Sequence, residues 1–227
     1  MNINIYDIGY SITRYYVDEF YLSHIASLKP GSKVLDLGGN KIHKRGRFDI
    51  EKYPLYVTYA NLVTSKRPDI QCDAARVPTR GDLFDAVICS ELLEHVPEPA
   101  LVLQEVFRVI KPGGCLLSTV PFLYRIHGDP YDYNRYTGPY WLSLLKKIGF
   151  SNILIEGQGS FYTVIVDFLK QYAGQYGSEG DVFSRLVYRL CPWLQRWAFT
   201  KEKNLDRERW PEFMRSFTVG YGFYATK

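Results

Sequence analysis

Short apolar runs alternate with amphipathic segments through the middle of the chain, and this alternation limits the fold more than any other feature. Four runs have the length and composition of buried strands: "KVLDLGG" (33–39), "LYVTYANL" (55–62), "DAVICS" (85–90) and "CLLSTVP" (115–121). The segment "EPALVLQEVFRVIKPGG" (98–114) has helical spacing of its apolar residues, an early proline and a Pro-Gly-Gly end. The pattern predicts a mostly parallel sheet with helices on both faces.

Composition narrows the class of protein. The 227 residues are 46% hydrophobic, which is enough for the core of a single domain. The formal net charge is +4 and no basic stripe stands out, so we expect no nucleic-acid partner. No apolar run reaches the roughly 20 residues that span a bilayer, and the first residues lack the apolar stretch of a signal peptide.

The cysteines point in the same direction. Cys72, Cys89, Cys115 and Cys191 are widely separated and show no metal-ligand spacing. We therefore predict no metal site and four free thiols, which are typical of a reducing compartment such as the cytoplasm.

Loops at the carboxyl ends of parallel strands bind ligands in such folds, so the candidate site lies there. Asp36 ends the first strand, and Gly38 and Gly39 follow it with Asn40. Paired glycines let a ligand approach the backbone closely, although a tight turn without a ligand explains them equally well. Asn61, near the end of the second strand, can accept a hydrogen bond from a ribose hydroxyl.

Two further loops carry polar residues. Asp73 lies in "CDAARVP" (72–78), where it can accept a hydrogen bond from an exocyclic amine or simply cap the loop. The stretch "SELLEHVPEP" (90–99) places Ser90 and a histidine after the third strand, and a histidine there is more often a local hydrogen-bonding residue than a catalyst.

The order of these motifs is more specific than any one of them. "VLDLGG", "CDAARVP", "FDAVICSELLEHV" and "EVFRVIKPGG" resemble, in sequence order over roughly residues 30–155, the class I S-adenosylmethionine-dependent methyltransferases of the type 11 subgroup. The resemblance implies a Rossmann-like, seven-stranded, mostly parallel sheet whose last strand is antiparallel. The C-terminal "SFTVGYGFYATK" (216–227) suits that last strand.

The resemblance also implies a binding site for S-adenosylmethionine. Asp36, Gly38 and Gly39 would hold the methionine part of the cofactor. Asp73 would meet the adenine amine and the Ala74 backbone would lie beside the ring, while Ser90 would lie near the sulfonium.

The chain departs from the family pattern at two of these positions. Asn40 stands where the family usually has another glycine, and asparagine tolerates positive φ better than most residues. Asn61 stands where the family has a ribose-binding acid. The segment between the first two strands is short, so the first crossover helix must be short as well.

The loop "HGDPYDYNRYT" (127–137) is the candidate acceptor site. It resembles a loop of type 11 enzymes of glycan and secondary-metabolite clusters. His127 is the candidate general base, because histidine is the commonest base near neutral pH. Asp129 or Asp132 would orient it, while Tyr133 and Arg135 would bind a polar or acidic acceptor. Alternatively, an Asp132–Arg135 pair only holds the loop in place.

Two segments extend the core. Residues 1–29 form an N-terminal helical segment and residues 158–215 a helical insertion, or lid, before the last strand, all within a single domain of residues 1–227. Pro192 is expected to break the second insertion helix. We expect Trp193 and Trp197 to pack on the protein's own core or on a partner chain in a homodimer, each contributing ~3–5 kcal/mol. The alternative is peripheral contact with a membrane surface, without insertion.

Together these observations predict O-methylation of a small-molecule or glycan-like acceptor in a biosynthetic pathway. An amine acceptor, for example on an amino sugar, is one alternative, and a cofactor-binding partner without activity of its own is another.

Overall fold

Seven strands form one sheet in the computed structural model, which describes residues 4–42, 46–203 and 209–227. The strand order is β3-β2-β1-β4-β5-β7-β6, and β7 runs antiparallel to both of its neighbours while the other pairs are parallel. The predicted fold class is therefore confirmed. The strands are β1 Lys33–Leu37, β2 Tyr56–Asn61, β3 Ile70–Gln71, β4 Phe84–Ser90, β5 Ile110–Pro121, β6 Ser151–Gln158 and β7 Gly220–Thr226.

Helices cover both faces of the sheet. Neighbouring strand residues such as Val34 and Leu35 belong to separate buried clusters, because successive side chains point to opposite faces. Both faces being buried explains why the strands read as continuous apolar runs. The helices are α1 Ile12–Ile25, α2 Pro99–Val109, α3 Gly138–Ile148, α4 Phe161–Tyr176, α5 Val182–Lys203 and the single turn α6 Glu212–Arg215.

The first crossover is as short as the sequence predicts. Between β1 and β2, the described residues contain one turn of 3-10 helix, Ile50–Lys52, which Asp49 caps through its side chain. In the connection from β4 to β5, α2 ends at Val109 and β5 begins at once. The Pro-Gly-Gly sequence does not end an element but lies inside β5. It forms an irregularity there, because the register of β4 against β5 shifts between Phe84 and Ala86 of β4.

Pro192 does not break the insertion helix, so that prediction is wrong. α5 runs without interruption from Val182 to Lys203. A proline inside a helix costs about 3 kcal/mol relative to alanine. Buried residues on both sides of Pro192, such as Val187 and Ala198, pack in the helical layer and hold the two halves in line.

The two tryptophans of α5 are not buried within the chain, so the expectation that they pack in its own core is wrong, while packing on a partner chain stays a prediction. Trp193 is 63% exposed and Trp197 37%. The helix instead turns Val187, Cys191 and Gln195 inward. The inward face is thus less apolar than the outward one.

This orientation gives a stability prediction. Trp193→Ala should change the free energy of unfolding by less than about 1 kcal/mol, because exposed positions contribute little. Val187→Ala, on the buried face of the same helix, should cost about 1.5 kcal/mol, at ~0.8 kcal/mol for each buried methylene. Urea denaturation measures both. A larger loss for Trp193→Ala would show that the tryptophan packs against protein.

Candidate active site

A glycine turn at the end of β1 lies directly over the Asp36 carboxylate. A Cβ added to Gly39 would lie 2.2 Å from the Asp36 carboxylate oxygens. Gly38 has φ +84°, and its Cβ would lie 3.0 Å from Leu92 in the loop after β4. The turn therefore needs glycine at both positions. Gly38 provides the positive φ, and Gly39 leaves the space that the Asp36 carboxylate occupies.

Asn61 fastens this turn from the neighbouring strand. Its Nδ2 donates hydrogen bonds to the carbonyl oxygens of Gly38 (2.8 Å) and Gly39 (3.0 Å). Its Oδ1 accepts one from the Val63 N–H at 2.9 Å. The structure thus gives Asn61 a tethering role that the sequence did not indicate. Asn40, next along the turn, has a negative φ, so its backbone does not need a glycine.

The predicted adenine-side loop is held by its own aspartate. Asp73 Oδ1 accepts a hydrogen bond from the Ala75 N–H at 2.8 Å, and its carbonyl accepts one from Arg76. Ala74 packs against the main core cluster. The capping role of Asp73 is therefore present, and its Oδ2 makes no hydrogen bond with the described residues.

The end of β4 brings Ser90 next to residues that the sequence did not single out. Ser90 Oγ lies 3.3 Å from Thr119 Oγ1 on β5, and the Tyr21 hydroxyl of α1 lies 3.5 Å from the same atom. Glu91 follows with φ +48°, a strained conformation for a residue with a side chain. Its Oε1 is buried without a hydrogen-bond partner, and burial raises the pKa of its carboxyl.

In the acceptor loop, Asp132 and Arg135 form a bidentate pair. Arg135 Nη1 and Nη2 donate to the two Asp132 oxygens at 2.5 and 2.8 Å. The guanidinium lowers the pKa of Asp132 to about 2. Asp132 also accepts a hydrogen bond from the His127 N–H at 2.8 Å. These contacts match the alternative in which the pair holds the loop, and they leave Arg135 engaged within the protein.

The remaining loop residues lie at the surface. Asp129 is exposed, and Asp132 rather than Asp129 contacts the His127 ring, at 3.4 Å from Nδ1. Tyr133 is half-exposed, and its backbone N–H donates to the Glu94 carbonyl. Of the two predicted substrate-binding residues, Tyr133 alone presents its side chain to solvent.

His127 lies against two residues from the loop after β4. Its ring centroid is 4.9 Å from that of His95, and the Nε2 atoms of His127 and His95 lie 3.9 and 3.6 Å from Glu94 Oε1. Burial and the neighbouring His95 lower the pKa of His127. Glu94 is 1% exposed, neither carboxyl oxygen has a hydrogen-bond partner, and burial raises its pKa well above the ordinary range. Both shifts favour the uncharged form, of the imidazole and of the acid beside it.

The same three side chains are the candidates for holding a metal ion. Their ligand atoms lie within 4.8 Å of one another. This arrangement is not visible in the sequence, because Glu94 and His127 are brought together only by the fold. The absence of a metal therefore stays a prediction.

Four hydrogen bonds between described residues join the acceptor loop to the loop after β4, and one of them runs from Asn134 Nδ2 to the Val96 carbonyl at 3.4 Å. Tyr133 N–H donates to the Glu94 carbonyl at 2.8 Å, and Asn134 Nδ2 donates to the Leu93 carbonyl at 2.9 Å. His95 Nδ1 donates to the Tyr131 carbonyl at 2.6 Å. We call these two segments, residues 91–96 and 127–135, the paired loops.

A cavity of about 610 Å³ lies between the segment after β5 and helix α4. The ring of Tyr124, one of its lining residues, is 5.2 Å from that of His127. Helix α4 thus forms a wall of the space beside the candidate base. The lining residues are Phe122, Leu123, Tyr124, Arg125, Phe168, Gln171, Tyr172, Gln175 and Tyr176.

Known proteins share this sequence pattern and fold. A family model described as a methyltransferase domain matches residues 23–118. The ubiquinone biosynthesis O-methyltransferase of Psychrobacter cryohalolentis is 31% identical over 122 aligned residues, covering 44% of this chain and 48% of that protein. The chain spans about half the length of the curated relatives it matches.

Solved structures agree on the fold. A SAM-dependent methyltransferase from Archaeoglobus fulgidus superposes with a TM-score of 0.58 at 14% identity, covering 94% of both chains. Haemonchus contortus phosphoethanolamine N-methyltransferase 2, in complex with phosphomonomethylethanolamine and S-adenosylhomocysteine, gives 0.55 at 17% identity, covering 99% of this chain and 60% of that one.

The sheet order, the glycine turn and the family model together define a class I S-adenosylmethionine-dependent methyltransferase. Within that class, residues 23–118 match the type 11 methyltransferase family model.

The residues present fit the cofactor of this class. The turn at Gly38 and Gly39 leaves a backbone surface without side chains, directly above the Asp36 carboxylate. An acid below the turn suits the charged amino group of the methionine part of S-adenosylmethionine.

The tether from Asn61 leads to a binding prediction. Asn61→Ala removes the two hydrogen bonds that hold the glycine turn, each contributing about 0.5–1.5 kcal/mol, so S-adenosylhomocysteine should bind about tenfold more weakly. Asn61→Asp separates tethering from ribose binding. An aspartate cannot donate to the two glycine carbonyls and should weaken binding at least as much as alanine. Calorimetry measures both, and tight binding by Asn61→Asp would assign residue 61 to the ribose instead.

Proposed function

We propose that the protein transfers the methyl group of S-adenosylmethionine to a hydroxyl of a small-molecule or glycan-like acceptor, with His127 as the general base. The observation that carries this proposal is an imidazole with a lowered pKa beside the cavity that α4 closes. The relatives named as O-methyltransferases of ubiquinone biosynthesis support a hydroxyl as the acceptor.

The chain's own residues would handle the acceptor proton. When bound, the cofactor supplies a methyl group on a positively charged sulfur. His127 takes the hydroxyl proton at Nε2, because Nδ1 is enclosed by Asp132, Arg135 and the Arg125 carbonyl at 3.4 Å each. The Asp132 carboxylate then stabilises the imidazolium, since a negative charge lies against the ring.

The experiment compares matched acceptors. Purified protein is incubated with S-adenosylmethionine labelled in its methyl group and with pairs of compounds that differ only in a hydroxyl or an amine. Methylation of the hydroxyl member is expected. Methylation confined to the amine member would establish N-methylation, and cofactor binding without turnover on any pair would indicate a non-catalytic partner.

Three further points belong to the proposal. The chain forms one methyltransferase domain. Residues 158–215 act as a lid within it, because α4 forms a wall of the cavity beside His127. Its four cysteines are free, which suits a cytoplasmic enzyme. Among the helices of the described residues, none is long and apolar enough to cross a membrane.

A further inference from the structure

Helix α5 presents its most apolar face to solvent. The exposed members of this face recur every three or four residues, so they form one stripe along the helix. A contiguous outward stripe of this kind marks an interaction surface rather than a random exposed side chain. We call it the α5 stripe, and it consists of Val182, Phe183, Leu186, Leu190, Trp193 and Trp197.

A row of positive charge runs along one edge of the stripe. Arg185, Arg189 and Arg196 are all exposed and are spaced so that they share one side of the helix. The single acid within α5 is Glu202. Its carboxylate is turned inward, where the hydroxyls of Ser160 and Thr163 donate to it. The charged side chains that α5 turns toward solvent are therefore all positive.

We infer that the α5 stripe docks on a bilayer surface that carries anionic headgroups. Tryptophan and other large apolar side chains on one face, with arginines beside them, are the composition of helices that lie in the membrane interface. The arginines meet anionic headgroups while the tryptophans enter the boundary of the acyl region. A second copy of the chain fits less well, because an antiparallel isologous contact through α5 would place the positive edges of the two copies against each other.

The stripe is continuous with the acceptor cavity. The Phe183 ring lies 5.7 Å from that of Tyr172, and Tyr172 lines the cavity on the α4 side. Tyr124, on the opposite wall, contacts His127. A hydroxyl-bearing acceptor anchored in the bilayer can thus reach the candidate base across α4. The suggestion that the acceptor is anchored in the bilayer rests on the proposed function, whereas the docking of the α5 stripe does not.

Vesicle flotation tests the docking directly. The full chain is mixed with vesicles of phosphatidylcholine containing phosphatidylglycerol, or with phosphatidylcholine alone, and floated through a density gradient. The protein should float with the anionic vesicles and remain below with the neutral ones. Trp193→Ala with Trp197→Ala should abolish flotation, and Arg185→Gln with Arg189→Gln should weaken it about fivefold for each arginine lost.

Matched changes away from α5 provide the controls. Tyr56→Ala with Leu101→Ala removes two exposed apolar side chains elsewhere, and Lys146→Gln with Lys147→Gln removes two exposed charges on α3. Both control variants should float like the unchanged protein. Circular dichroism and S-adenosylhomocysteine binding, measured on every variant, separate loss of docking from loss of fold or of cofactor binding.

Two results would overturn the inference. One is an unchanged protein that fails to float with anionic vesicles at low salt. The other is a dimer in analytical ultracentrifugation that the two tryptophan substitutions dissociate, because the stripe would then be occupied by a second copy. Flotation without turnover on any acceptor would leave the docking intact and remove the proposed methyl transfer.

Discussion

Replacing His127 with alanine should lower the turnover rate by ~10²–10⁴-fold, the usual contribution of a general base. The affinity for S-adenosylhomocysteine should hardly change, because the glycine turn and Asn61 lie on different strands from the acceptor loop. Single-turnover kinetics with labelled cofactor measure the first quantity and calorimetry the second. A loss smaller than about threefold would argue for an amine acceptor or for a purely positional role of His127.

The same residue should set the pH dependence of the reaction. The pKa of His127 lies below its ordinary value, because burial and His95 disfavour the charged ring more than the neighbouring Asp132 favours it. Arg135 adds to the lowering, and burial raises the pKa of the Glu94 carboxyl, which faces the same ring. The rate should rise with pH through this lowered pKa, as the imidazole loses its proton, and then stay level. This rise should disappear in His127→Ala.

Two controls separate base catalysis from other roles. Asp129→Asn, on the exposed part of the loop, should leave the rate within about twofold, since surface changes away from contacts have small effects. Treatment with a chelator should also leave the rate unchanged. A loss that a divalent cation restores would instead make Glu94, His95 and His127 the ligands of a metal ion.

The second large effect is expected at the glycine turn. Gly39→Ala places a methyl group where the Asp36 carboxylate lies, 2.2 Å from its oxygens, so the carboxylate must move away from the turn. A hydrogen bond to a charged group contributes about 1.5–3 kcal/mol, and its loss corresponds to roughly 10- to 150-fold weaker binding of S-adenosylhomocysteine. Calorimetry on the purified variant measures the change.

Gly174→Ala is the matched control for this substitution. Gly174 lies within α4 and nothing approaches its added Cβ within 4 Å, so alanine there should leave cofactor affinity unchanged and should favour the helix slightly. Circular dichroism confirms that both variants are folded. If Gly39→Ala bound the cofactor as tightly as Gly174→Ala, the turn would not be the cofactor site.

The sheet could be predicted because its strands are buried on both faces. A run such as residues 85–90 can be assigned as a buried strand from the sequence alone, because it is a short apolar stretch bounded by turn residues. The start of β5 was harder to predict. Pro112 and the glycines that follow usually end an element, and only pairing with β4 shows that they form an irregularity inside a strand.

The site was predictable where one local stretch determines it, and not where distant stretches meet. The glycine turn is visible in five consecutive letters, and the structure places it over Asp36. The contact of Glu94 and His95 with His127 joins two loops that the sequence keeps apart. The continuous helix through Pro192 was missed for the same reason, because the packing that compensates the proline comes from other elements.

The paired loops set a rule for exchanging acceptor specificity between related enzymes. Hydrogen bonds to the carbonyls of Leu93, Glu94 and Tyr131 join backbone positions in both segments, so the shape of one depends on the path of the other. A graft of residues 127–135 alone would place a foreign residue 134 against the Leu93 carbonyl, and the host's residue 95 against the carbonyl of residue 131. Acceptor preference should therefore transfer only in chimeras that carry residues 91–96 together with residues 127–135, so the two segments form a single exchangeable cassette.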